Sequence, residues 1–242
     1  MELARVDTAS SEYRGLYKLG GCVALLIPLV ALVDIITAML QGEAAAAPGT
    51  LAATNWFALL QDNWFLGMSN LGLLNIIYNT LSIPLFFALY FALRRVSQAY
   101  SLLATVLLVM GAVIYIATNT AFPMLALSGQ YAAATTEAQR SLIAAAGQAV
   151  LAREDLTPGT FAGFFFVEAA GIMMALVMLR SKIFSKLTAC TGLFAYATLL
   201  LFNIWVAFVP SLYPVAVAVG AAGGLVASAY YIIVAHGLFK LA

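Results

Sequence analysis

Charge is what this sequence has least of. Of its 242 residues, only 9 % are Asp, Glu, Lys or Arg, whereas soluble domains carry about 25 %. So little charge does not cover a water-facing surface, and the composition therefore excludes a soluble enzyme. The net charge is +1 with no basic cluster along the chain, which excludes electrostatic capture of nucleic acid.

Histidine and cysteine are nearly missing as well. His236 is the single histidine, which excludes a bis-histidine haem site and a His-rich zinc site. Cys22 and Cys190 lie far apart in the sequence and set no disulfide framework. The patterns H-E-x-x-H and G-x-S-x-G are absent too. We therefore predict no cofactor, no metal and no catalytic residue, and expect His236 at the membrane interface.

Long apolar runs dominate what is there: 64 % of the residues are hydrophobic and the mean hydropathy is +1.01. The runs are continuously apolar instead of alternating, which favours helices over a β-barrel. The first run lacks a cleavage site and is interpreted as a retained signal anchor. The sequence predicts an all-α, polytopic membrane bundle forming one domain over 1–242. Its six helices of about 20 residues or more are expected at 19–40, 70–93, 101–127, 159–179, 188–209 and 214–239.

The basic residues are distributed unevenly between the connections. If the N-terminus is cytoplasmic, only Arg140 and Arg153 lie outside. The positive-inside rule then predicts that both termini are cytoplasmic. The cations expected inside are Arg5, Arg14, Lys18, Arg94, Arg95, Arg180, Lys182, Lys186 and Lys240.

Two outer loops, 41–69 and 128–158, are long enough to hold short interfacial helices. The aromatic segment 55–65 is typical of a membrane interface. Segment 136–152 is predicted to be an amphipathic helix on the outer face, because three apolar residues recur at intervals of four. Either these loops pack over the bundle or they form a lid over an outward-facing cavity. The three residues are Leu142, Ala146 and Val150.

Two acids interrupt the apolar helices, Asp34 in the first and Glu168 in the fourth. An ionisable group inside a membrane helix is costly and is a functional-site hypothesis by default. At ~1.5 Å rise per residue, these acids and the amides Asn79, Asn119 and Asn203 lie about 9–13 Å below the outer helix ends. The other members of this predicted polar cluster are Asn75, Tyr78, Asn79, Tyr115, Asn119 and Asn203.

A cluster at one level suggests a binding site that faces the bundle interior and opens outward. No Lys or Arg lies at that level, and an unpaired carboxylate in low dielectric takes up a proton. One acid is then neutral, or the pocket is wet, or a cation sits there. The alternative is a self-satisfied polar network that only fixes helix packing.

The last helix carries small residues at intervals of four, which allow another helix to approach closely. This face serves packing within the chain, or it joins a second copy or a partner subunit through Gly220, Gly224 and Ser228. Prolines inside or near the ends of helices are expected to kink them. They are Pro28, Pro84 and Pro123.

Three stretches carry a family resemblance. Gln130–Arg140 reads QYAAATTEAQR and continues to Ala152, Met178–Lys186 reads MLRSKIFSK, and Arg14–Tyr17 reads RGLY. They resemble the bacterial family named domain of unknown function 4386. The resemblance implies a six-helix protein of the bacterial inner membrane. The family brings no activity with it, so no catalytic residue is carried over.

Three functions follow from these features. The first is binding or transport of a small apolar molecule or a lipid, with Asp34 and Glu168 supplying a proton or cation site. The second is a structural or accessory subunit whose polar residues specify packing. The third is an intramembrane enzyme with Glu168 as acid or base, for which no nucleophile or cofactor motif is present. Membrane lipids are the expected partners in each case.

Overall fold

The computed structural model describes residues 11–40, 52–156 and 158–242, and all regular structure in these ranges is helical. This confirms the all-α prediction for the described part of the chain. The helices are α1 (Ser11–Leu40), α2 (Ala53–Asp62), α3 (Trp64–Asn70), α4 (Leu73–Thr118), α5 (Ala121–Ala133), α6 (Glu137–Leu156), α7 (Pro158–Leu179), α8 (Lys186–Phe208) and α9 (Tyr213–Phe239), with a 3-10 turn at Pro210–Leu212 before α9.

Five helical stretches of the described residues are long and apolar enough to cross a membrane. They are Tyr13–Leu40, Leu73–Ala133, Thr160–Leu179, Lys186–Phe208 and Tyr213–Phe239. The chain is therefore multi-pass by the length and composition of its helices. The predicted spans 19–40, 159–179, 188–209 and 214–239 fall on α1, α7, α8 and α9.

Helix α4 is a hairpin of two helical arms. Ser97 has non-helical backbone angles (φ −160°, ψ 98°) inside its 46 residues. Thr105 Oγ1 donates to Phe86 O at 3.4 Å across 19 positions. Those two residues would lie about 28 Å apart along a straight helix, so the chain reverses near Ser97. Residues 73–93 of the predicted span 70–93 lie on the first arm, and the predicted span 101–127 begins on the second.

The predicted span 101–127 is wrong in one respect, because it is not one continuous helix. Helix α4 ends at Thr118 and α5 starts at Ala121. Between them Asn119 is extended, and its Oδ1 accepts from Ala121 N at 2.9 Å. An asparagine side chain that binds backbone donors competes with the helix ladder. Pro123 lies in the first turn of α5, where a missing N–H costs little.

The chain divides into two compact units, described separately here. The first contains Met1–Leu29, Thr80–Gly111 and Phe165–Ala242, and the second contains Val30–Asn79 and Ala112–Phe164. The prediction of one domain over the whole chain stays a prediction. Residues 1–10, with Arg5, and 41–51 of the first outer loop lie outside the described residues.

Helices α2, α3, α5 and α6 of the second unit share a small apolar core. Phe57, Leu60, Met68 and Met124 are buried in it. The predicted amphipathic segment 136–152 falls on α6, and so its helical structure is confirmed.

The apolar stripe predicted for α6 is only in part its packed face. Leu142 of the stripe is 73 % exposed, whereas Val150 of the stripe packs on the core together with Ile143 and Leu151. Gly147 lies on this side too, where an added Cβ would come 2.5 Å from Phe57 Cζ. The close approach that glycine permits decides which side packs. A count of apolar residues at intervals of four does not contain that information.

Candidate functional site

Glu168 is the most deeply buried acid among the described residues. It lies on α7 and is 3 % exposed. Asn203 of α8 donates from Nδ2 to Glu168 Oε1 and also to Leu199 O of its own helix. Glu168 Oε2 is buried and has no hydrogen-bond partner in the described part of the chain. The carboxyl group therefore keeps one oxygen available for a proton or a ligand.

The surroundings of Glu168 are apolar. Val167, Ala170 and Met174 of the same helix are buried beside it. Arg180, the next basic residue along the chain, follows after about 18 Å of helical rise. Among the residues that the structure describes, no three His, Cys, Asp or Glu side chains are placed to hold a metal ion together. This arrangement suits a proton carrier, or a hydrogen bond to a ligand in an apolar setting.

A buried tyrosine cluster in the same unit was not predicted. Tyr196 Oη and Tyr231 Oη are 2.9 Å apart, and Tyr230 Oη donates to Met178 Sδ at 3.7 Å. The Tyr196 ring packs on Gly171, one turn from Glu168, so closely that an added Cβ would overlap the ring. In the sequence these tyrosines are visible only as residues within apolar runs. The contacts that bury them join three different helices, α7, α8 and α9, and the sequence does not show these contacts.

In the second unit, Asp34 of α1 forms a side-chain hydrogen bond with Asn75 of α4. One turn along α1, Thr37 Oγ1 donates to Asp34 O at 2.9 Å, and Thr37 O accepts from Asn70 Nδ2 at 3.4 Å. The last turns of α1 are thus joined to α3 and α4 by polar contacts. Thr37 and Asn70 are members of this group that the sequence analysis did not identify.

Asn79 is fully buried, one turn after Asn75. Its Nδ2 donates to Asn75 O at 2.8 Å. Its Oδ1 is buried without a hydrogen-bond partner in the described residues. Tyr78 lies in the same turn and is half-buried. Asn79 therefore offers an unused acceptor, as Glu168 does in the first unit.

Tyr115 and Asn119 have a structural use. Asn119 Nδ2 donates to Leu71 O at 3.1 Å and lies 3.4 Å from Tyr115 Oη. The Tyr115 ring packs on Phe164, with ring centres 4.9 Å apart. Gly72 lies against both polar groups at φ +92°, a left-handed conformation. These contacts favour the packing interpretation for Tyr115 and Asn119.

The eight predicted residues fall into two groups. Glu168 and Asn203 form a hydrogen-bonded pair in the first unit. The members in the second unit are Asp34, Asn75, Tyr78, Asn79, Tyr115 and Asn119. That all eight share one site stays a prediction.

The small-residue face of α9 is used unevenly. Gly220 packs on Phe202 of α8, where an added Cβ would come 2.8 Å from the ring. A Cβ on Gly224 would meet nothing within 4 Å. Ser228 Oγ donates to Gly224 O of its own helix at 2.9 Å. Packing within the chain therefore accounts for Gly220 and leaves Gly224 facing open space.

His236 is exposed in the last turn of α9.

These helices and their buried polar groups define a multi-pass α-helical membrane protein. The chain belongs to the family described as Domain of unknown function (DUF4386), whose family model matches residues 71–235. The match confirms the resemblance seen in 130–152 and 178–186, which lie inside the matched range; Arg14–Tyr17 precedes it. No curated protein and no solved structure matches the chain.

Proposed function

We propose that this protein lies in the bacterial cytoplasmic membrane and binds or carries a small apolar molecule or a lipid, with Glu168 as the ionisable centre. The observation that carries the proposal is the unequal use of the Glu168 carboxyl oxygens. Oε1 accepts from Asn203, whereas Oε2 is buried without a partner in the described residues.

A polar atom left without a partner in an apolar interior costs about 1–3 kcal/mol. In a pair that served packing alone, a second donor beside Oε2 would remove this cost. A proton on Oε2 that is shared with a bound molecule relieves the cost. Glu168 Oε2 is therefore the atom that we assign to the ligand, and Asn203 is the residue that orients the carboxyl group.

A six-span topology with both termini in the cytoplasm agrees with this function. The two arms of α4 supply the second and third spans, and the connection between them carries Arg94 and Arg95. The connection between α7 and α8 is basic as well. Under the positive-inside rule both connections are cytoplasmic. In that orientation Asn203, five residues before the end of α8, lies in the half of the membrane nearer the outside, and Glu168 lies near the middle of α7.

The test is native mass spectrometry of the protein released from mild detergent. We expect wild type to retain a bound lipid or small molecule, and Glu168→Gln to retain it about 10–100-fold more weakly, since a hydrogen bond to a charged or proton-sharing group is worth about 1.5–3 kcal/mol. Glu137→Gln at the exposed start of α6 is the matched control. Equal retention by Glu168→Gln, with an unchanged thermal unfolding midpoint, contradicts the proposal.

A structural or accessory subunit is the second candidate function. It is favoured by Gly224, which faces open space beside the exposed Leu225 on α9. In that case a second copy or a partner subunit covers this face. Gly224→Leu is then expected to change the oligomeric mass, while Gly220→Leu disturbs packing within the chain. An unchanged mass for Gly224→Leu argues against this function.

A further inference from the structure

Cations are concentrated in the first unit. Outside the undescribed residues 1–10 it contains Arg14, Lys18, Arg94, Arg95, Arg180, Lys182, Lys186 and Lys240, whereas the second unit contains Arg140 and Arg153. Glu168 is the one carboxylate side chain that the structure describes in the first unit, and it is buried. Glu12 of α1 is a further acid of this unit, and its side chain lies outside the described residues. The exposed cations therefore greatly outnumber the described acids.

Four of these lysines lie on the segments that pack against the end of α9. Gly237 of α9 packs on Phe184 in the connection between α7 and α8, and Gly21 of α1 packs on Phe239. Added Cβ atoms would come 2.6 Å and 2.7 Å from the respective rings. Lys182 and Lys186 flank Phe184, Lys240 follows Phe239, and Lys18 lies one turn before Gly21 on α1. We call these four exposed residues the basic rim: Lys18, Lys182, Lys186 and Lys240.

Each lysine of the basic rim adjoins an exposed apolar side chain. The neighbours are Leu19, Ile183, Leu187 and Phe239, and all four are exposed. A site for a soluble anion does not need an apolar border. Apolar side chains beside ammonium groups match a molecule with a hydrocarbon tail and an anionic head. Lysine suits this setting because its stem lies along apolar surface while the ammonium group reaches the phosphate level.

Arg94 is not part of this surface. Its guanidinium lies 4.9 Å from the centre of the Tyr13 ring and 5.1 Å from that of Phe91. These cation–π contacts hold the α4 hairpin against α1. The cation is half-buried and serves packing. The four lysines of the basic rim are instead exposed.

We propose that the basic rim binds the phosphate-bearing headgroup of an anionic phospholipid whose acyl chains contact the neighbouring apolar side chains. Each cation near an anionic membrane surface adds about 1 kcal/mol, or about fivefold in affinity. Loss of three lysines then weakens binding by about a hundredfold. The lipid acts here as a stabilising partner at a surface separate from Glu168.

The experiment is a titration of the purified full chain in mild detergent with phosphatidylglycerol or phosphatidylcholine, followed by native mass spectrometry. The variant is Lys182→Gln/Lys186→Gln/Lys240→Gln, since glutamine retains part of the apolar stem and removes the charge. Arg140→Gln, an exposed cation on α6 of the second unit, is the control. We expect wild type and the control to prefer phosphatidylglycerol, and the triple variant to lose about a hundredfold in affinity for it.

Several results overturn the proposal. They are equal binding of both lipids by wild type, unchanged binding of phosphatidylglycerol by the triple variant, and an equal loss in Arg140→Gln. Displacement of the lipid by inorganic phosphate at similar concentration assigns the site to a soluble anion instead. If the triple variant does not fold, the single Lys182→Gln variant takes its place, with about a fivefold loss expected. Glu168→Gln should retain the preference for phosphatidylglycerol, because Glu168 is not part of the basic rim. Failure of lipid binding at the basic rim is therefore distinguishable from failure of the function proposed for Glu168.

Discussion

Polar side chains in the helices of this protein differ in what they bond to. Many hydroxyls bond the carbonyl one turn back in their own helix, as Thr198 does with Phe194 O at 2.7 Å and Thr118 with Ile114 O at 2.8 Å. Such bonds are common for Ser and Thr in membrane helices and link nothing between helices. Asn203 bonds both within its helix and between helices, because its Nδ2 donates to Leu199 O of α8 and to Glu168 Oε1 of α7. The bonds that cross between helices distinguish candidate site residues from helix-internal ones.

A double-mutant cycle tests the Glu168–Asn203 bond. We expect Glu168→Ala and Asn203→Ala to show a coupling of about 0.6–1.7 kcal/mol in the free energy of unfolding in detergent, the range of hydrogen bonds between membrane helices. Thr198→Ala on the same helix is the control and should show none with Glu168→Ala. A coupling of zero for the Asn203 pair means that the bond contributes nothing to stability.

At the scale of elements, two interruptions decide where helices end. Ser97 breaks α4 into a hairpin, and Asn119 separates α4 from α5. The hydrogen bond from Asn119 Nδ2 to Leu71 O joins the end of the second arm to the residue that precedes Gly72. Gly72 then starts the first arm with φ +92°. This turn holds both ends of the α4 hairpin together, and its residues lie 48 positions apart.

Substitution of Gly72 tests this turn. In Gly72→Ala the new Cβ would come 2.5 Å from Tyr115 Oη and 2.6 Å from Asn119 Nδ2. We expect a loss of about 2–4 kcal/mol in unfolding free energy, from left-handed strain plus the displaced hydrogen bonds. The measurement is the thermal unfolding curve of the purified protein in detergent.

Gly129→Ala provides the comparison for this variant. Gly129 lies inside α5, and a Cβ there meets nothing within 4 Å. Alanine also favours a helix more than glycine does. Gly129→Ala should therefore unfold at the wild-type temperature or slightly above it. If both variants unfold alike, the Gly72 turn is not the constraint described here.

For the whole molecule, the main feature is the separation of charge between the two units. Most described cations belong to the first unit, in the connections near Ser97 and Phe184 and at the ends of α1 and α9. The exposed acid Glu137 and the cation Arg140 of the second unit lie on α6. The positive-inside rule predicts an orientation with the basic connections in the cytoplasm.

Cysteine labelling tests this orientation and the six-span count. The starting protein carries Cys22→Ala and Cys190→Ala, because both native thiols are free and exposed. We expect a membrane-impermeant maleimide to label Gln139→Cys in intact spheroplasts, and Gln98→Cys only after the membrane is opened. The reason is that one further span separates the two positions when α4 is a transmembrane hairpin. Labelling of both positions from the same side rules out that topology.

The sequence by itself determined the helical class, the membrane setting, the family, and the approximate extents of α1, α7, α8 and α9. These depend on apolar length and on charge, which are local properties of the chain. It also singled out Glu168 and Asn203, since an ionisable or amide group in an apolar run is costly wherever the helix lies.

Only the tertiary structure decided which polar atoms have partners and which face of α6 packs. It also revealed the break at Asn119 and the tyrosine pair Tyr196 and Tyr231. Each of these depends on a contact between residues distant along the chain, such as Asn119 with Leu71 or Tyr196 with Gly171. The helical periodicity of the sequence indicates which side of a helix a residue occupies. The partner on that side is set by how the helices pack against each other.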